Sequence, residues 1–135
     1  MGEIYRKLQR FNEAQYCFDR LEKITLTRNL PGWVAHSYLG QAMICLHIGD
    51  VDKGLEYTRK AKDIYKKINQ MWGKINSETV EIILLLKCNY NDDYVLEKLN
   101  NIRNEAQFMN YSYNVITVNK LIENKNYDSF HLLFL

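Results

Sequence analysis

The side chains of this chain that could do chemistry are few and dispersed. His36, His47 and His131, with Cys17, Cys45 and Cys88, are the candidate metal ligands and nucleophiles. His36 and His47 fall eleven residues apart on one helical stretch, so at 1.5 Å per residue roughly 16 Å separates them, too far for one metal ion. His131 reads as an exposed side chain. Cys88 stands beside Lys87, which would favour a thiolate, yet it reads as an inert, partly exposed thiol, and Cys17 and Cys45 occupy packing positions. The paired acids Asp50/Asp52 and Asp92/Asp93 suit helix starts, where the dipole favours negative charge; their spacing makes a poor cation site. P-loop, GxGxxG, HExxH, EF-hand and nucleophile-elbow patterns are all absent. The sequence therefore predicts no enzyme, no metal and no cofactor.

Charge and cysteine usage narrow the partners. A net charge of +2 is too small for the broad positive field of nucleic-acid binding. Arg59, Lys60, Lys62, Lys66 and Lys67 form a basic run, read as a solvated convex face. Splitting the chain after Ile75 gives +5 before and −3 after. Three cysteines, an odd number without a CxxC pair, argue for a reducing compartment. The opening MGEIYRKLQR has no apolar run of signal-peptide type, and the longest such run is Ile82 to Leu86. These features predict a cytoplasmic protein with no membrane and no nucleic-acid partner.

The elements that must position these residues are helices. A length of 135 residues suits one domain, and one proline and six glycines leave too few breakers for a small sandwich or barrel. RFNEA (10–14), DVDKG (50–54), NYNDD (89–93) and NYDSF (126–130) repeat a turn-like pattern. Their ring or Val positions, Phe11, Val51, Tyr90 and Tyr127, are 40, 39 and 37 residues apart. Tyr38, Ala42, Cys45 and Ile48 before one turn, and Leu55, Thr58, Ala61 and Ile64 after it, recur at helical spacing. The unit is helix, turn, helix, with units of about 1–30, 33–69, 71–108 and 110–135 in a single domain, the first and last truncated. Leu30-Pro31-Gly32 is read as a break, with the second unit starting near Trp33. Entry helices are expected at roughly 74–88 and 111–124, and a second helix at roughly 93–107.

The second unit resembles a tetratricopeptide repeat. Tyr38 stands where that family has Trp, Ala42 at its small position and Cys45 at the following Tyr. Gly49-Asp50-Val51 makes the turn, and Gly54, Thr58 and Ala61 complete the second helix. Gly2, Tyr5, Phe11, Ala14, Phe18 and Leu21 match in the first unit. Val95, Leu99 and Ile102 match in the third after a two-residue insertion, and Val118, Leu121, Tyr127, Phe130 and Phe134 in the fourth. The period exceeds that of the family, as in the long-repeat sensor arrays of bacterial signal-transducing regulators and peptide-pheromone receptors.

The resemblance implies an all-α, right-handed superhelix of antiparallel helix pairs, about 3.5–4 repeats, with a non-catalytic protein- or peptide-binding function. Its concave side would be an apolar groove made by His36, Leu39, Met43, Leu46 and His47, then Glu78, Ile82, Leu85 and Leu86, then Val115, Asn119 and Ile122. Leu39, Met43, Ile82 and Leu85 are expected to be open to a partner and dispensable for folding. Gly54 is expected at a close helix crossing. Phe130, Leu133 and Phe134 would drive self-association as a homo-oligomer or pack on further repeats. The alternative role is a structural or oligomerisation segment, or the C-terminal sensor part of a larger bacterial regulator.

Overall fold

A computed structural model of the chain describes residues 2–88 and 92–124. Its helices are α1 (Gly2–Lys7), α2 (Phe11–Thr27), α3 (Pro31–Ile48), α4 (Val51–Lys67), α5 (Met71–Lys87), α6 (Asp92–Phe108) and α7 (Ser112–Asn124). No strand occurs among the described residues.

One turn chemistry is used throughout. The carbonyls of Tyr5, Thr25, Cys45, Tyr65 and Ala106, near the ends of five helices, each accept from the amide five residues on, at 2.8–3.0 Å. That bond satisfies a carbonyl the helix would leave orphaned and requires a left-handed residue inside the loop. Gln9, Asn29, Gly49, Asn69 and Asn110 take it, with φ between 54° and 85°. Asparagine tolerates this conformation better than most residues with a Cβ, so Asn29, Asn69 and Asn110 punctuate the three connections between helix pairs. Pro31 does not lie outside α3, as the break reading has it, but opens the helix. Its fixed φ suits a first turn, where the missing N–H has no intrahelical partner.

Short turns make each helix antiparallel to its chain neighbours. α3 is apolar on every side, and eleven of its 18 residues are buried; such a helix belongs inside a stack. It packs on α1, α2, α4 and α5. α4, by contrast, buries only Gly54, Thr58, Ala61 and Tyr65, one stripe at helical spacing. Odd-numbered helices also meet one another, α1 on α3 and α3 on α5, whereas α2, α4 and α6 make no extended mutual contact among the described residues.

Close approach depends on glycine at three crossings. A Cβ on Gly40 would overlap the buried Phe18 ring of α2, and one on Gly73 would overlap the Tyr65 ring of α4. Trp72 and Gly73 thus lie inside α5, which begins at Met71 and not near 74 as expected. Gly54 lies as expected: a Cβ there would stand 3.0 Å from a Leu84 methyl and 3.2 Å from Cys45 Cβ. Gly54→Leu should overpack this crossing and lower unfolding free energy by about 1–3 kcal/mol. Urea denaturation checks it, and a parental midpoint would refute the crossing.

Candidate functional site

Five of the twelve residues expected to line a groove are closed off from any partner. Leu39, Met43, Leu46, Ile82 and Leu85 are buried in the main core, Leu39 with 0% of its surface exposed. They hold α3 and α5 together and are not available to a partner. The expectation that Leu39, Met43, Ile82 and Leu85 are dispensable for folding is therefore corrected. Both helices carry apolar side chains in all directions, as the runs Ala42–Leu46 and Ile82–Leu86 already indicate, and a partner helix covers the side assigned to solvent.

A register error contributes. The groove set steps from His36, Leu39 and Met43 to Ile75, Glu78 and Ile82, a shift of 39, but the left-handed asparagines that begin α3 and α5 are 40 apart. One residue on an α-helix rotates the face by about 100°. Glu78 and Ile82 accordingly line a polar cleft of about 130 Å³ with Lys62 of α4 and Lys98, Asn101 and Glu105 of α6. Lys74 reaches Glu78 at 3.5 Å and Glu105 at 3.1 Å, and Lys62 reaches Glu81 at 3.1 Å. Burial pushes the Glu78 carboxyl above its ordinary value, against the pull of Lys74.

Asn76 and Asn114 form a side-chain pair between helices that are not chain neighbours. Asn114 donates its Nδ2–H to Asn76 Oδ1, linking α7 to α5. Asn76 is fully buried, and its own Nδ2 has no partner. His36 occupies the matching place on α3, 40 residues earlier. Its ring meets Trp33 edge-on at 5.7 Å. The sequence reading singled out neither asparagine; Asn76 follows the turn residue Asn69 by seven, as His36 follows Asn29, but Asn114 follows Asn110 by four, so no shared register marks it.

His36 and His47 are not brought together. His47 stacks on Phe11 at 5.4 Å, and its Nε2 lies 3.3 Å from the Arg6 guanidinium, which also pairs with Glu3 at 3.1 Å. Arg6 is 5% exposed. The cluster fastens the short helix α1 across α3. Leu86, Val115, Asn119 and Ile122 are half-buried, and the three apolar ones rest against the core while keeping an outer surface. The self-association residues Phe130, Leu133 and Phe134 lie outside the described residues.

Other polar groups serve packing. Gln41, fully buried, accepts from Gln15 at 2.9 Å and donates to Glu22 at 3.0 Å, which fixes α2 against α3. Burial raises the Cys45 thiol's pKa and holds it as the neutral, unreactive form. Among the described residues no group of three or more His, Cys, Asp or Glu side chains could hold a metal ion.

Burial lowers the His36 pKa, opposed by the nearby Glu3 carboxylate. A depressed folded-state value means that the unfolded chain takes up a proton first as pH falls. Stability from this site is complete above the ordinary value of 6.5 and is lost as pH drops through the folded value. Melting at pH 7.5 and pH 5.5 should show this slope, and His36→Gln should flatten it. An unchanged slope in the variant would remove His36 as its source.

Comparison with family models, curated proteins and solved structures finds no match for this chain.

Proposed function

We propose that the chain is a tetratricopeptide-like array that binds a protein or peptide along its odd-numbered helices and catalyses no reaction. The observation that carries this reading is the asymmetry of packing. α1 meets α3 and α3 meets α5, while α2, α4 and α6 make no extended mutual contact among the described residues, and closer packing of first helices would curve a stack toward them. The half-buried side chains His36, Leu86, Val115, Asn119 and Ile122 are proposed as the lining that meets the partner. Apolar edges with an amide among them suit an extended or helical peptide, whose side chains would enter between helices and whose backbone needs hydrogen-bond partners.

The experiment is selection of a displayed peptide library on the immobilised chain, followed by titration of the enriched peptide. Leu86→Ser/Val115→Ser/Ile122→Ser should weaken it at least about tenfold, since each loses part of a buried anchor, with melting shifted only slightly. Enrichment of no sequence, or full affinity in the triple variant, would defeat the reading.

A further inference from the structure

The connections between helix pairs, residues 28–30, 68–70 and 109–111, share one edge of the stack, because every helix runs opposite to its chain neighbour. They lie side by side. A Cβ on Gly32 would sit 3.7 Å from Ile68 Cδ1, and Lys74 in the first turn of α5 reaches Glu105 near the end of α6. At each turn large apolar side chains stand in water: Trp33 is 57% exposed and Phe108 86%, with Ile68 and Met71 exposed between them.

The same edge lacks carboxylates. No Asp or Glu occurs in residues 23–49, 64–77 or 106–122, while Arg28, Lys66 and Lys67 are exposed there. Helix stability does not require this omission, since a helix N-terminus favours an acid in its first turn. α2 and α4, which start at the opposite edge, carry Glu13 and Asp52 there. α3, α5 and α7, which start at this one, carry none, and α1, which also starts here, carries Glu3. Of the acids nearest to the edge, Glu3 and Glu105 are held by Arg6 and Lys74, and Asp63 lies a turn inside.

We propose that this edge docks on an anionic phospholipid bilayer. Trp33, Ile68, Met71 and Phe108 enter the boundary between headgroups and acyl chains, and Arg28, Lys66 and Lys67 meet the phosphates. Aromatic side chains favour that boundary, and cations beside it add attraction to an anionic leaflet. Three neighbouring turns present these side chains together, as a flat partner requires, whereas a peptide would need a groove. A recess of about 320 Å³ between the end of α6 and the start of α7, lined by Gln107, Tyr111, Val115 and Ile116 among others, gives room for part of a lipid. No described helix is long and apolar enough to cross a membrane, and peripheral contact needs none. The sequence expectation of no membrane partner rested on the lack of such a segment and did not weigh turn tips.

Co-sedimentation with phosphatidylcholine vesicles, with and without about 30% phosphatidylglycerol, tests the proposal. The chain should sediment with the anionic vesicles only. Lys66→Glu/Lys67→Glu and Trp33→Ser/Phe108→Ser should each reduce binding at least about tenfold, and both should melt as the parent does because these side chains are exposed. Lys7→Glu/Lys53→Glu, at the opposite edge, should bind normally. Absence of sedimentation with anionic vesicles, or an equal loss in that opposite-edge variant, would overturn the proposal. So would a parental dimer that Trp33→Ser/Phe108→Ser dissociates in the absence of any lipid binding, since the edge would then serve a second copy.

Discussion

Serine placed together at Leu39, Met43, Ile82 and Leu85 should abolish cooperative folding. All four are buried, with exposures of 0%, 1%, 2% and 8%, and they lie in the cluster that joins α3 to α5. Truncating one buried Leu, Ile or Met to Ala costs about 2–5 kcal/mol, and serine adds a hydroxyl that must find a partner. Four such losses exceed the roughly 5–15 kcal/mol that holds an ordinary domain folded. Leu39→Ala alone keeps the test quantitative: its unfolding free energy, read from urea denaturation, should fall by an amount within that single-site range. A quadruple variant with a parental melt would return these side chains to the surface and restore an open groove.

The second large effect belongs to Gly40. Its Cα faces the Phe18 ring, and any Cβ overlaps that ring, which is itself 3% exposed and touches Gly2 on its other side. A rigid, enclosed aromatic has little room to yield. Gly40→Ala would gain helix propensity of up to about 1 kcal/mol in an open site, but here the overlap outweighs it. Gly40→Leu should lower stability by about 1–3 kcal/mol or more as α2 is forced from α3. A double-mutant cycle separates overlap from a loss elsewhere. In a Phe18→Leu background the penalty at Gly40→Ala should shrink or reverse, and equal penalties in both backgrounds would show that the ring is not the obstacle.

Helix content and pair organisation are legible without coordinates. The apolar positions of α4, Gly54, Thr58, Ala61 and Tyr65, follow one stripe, and the turn at Gly49-Asp50 carries the glycine that its φ of 85° requires. Local preferences decide these features, because each depends on residues within a turn or two of one another. Boundaries drifted where a local cue had two meanings. Pro31 cannot continue a helix but begins one well, and Gly73 can end a helix or admit the Tyr65 ring.

Which side of α3 and α5 faces solvent is a different kind of question. Both helices are apolar nearly all round, so periodicity supplies no direction, and the answer depends on how many neighbours surround them. α3 meets four other helices, which turns Leu39 and Met43 from groove lining into core. Register between units is equally non-local: only the closed stack turns Glu78 and Ile82 toward α4 and α6 and brings Asn76 to Asn114. The sequence by itself determined the helices, their turns and the lack of carboxylates along one edge, since composition and short-range sterics act along the chain. Only tertiary structure decided what is buried, because burial is a property of the neighbours that a face meets, and residues 40 apart become neighbours only when the stack closes.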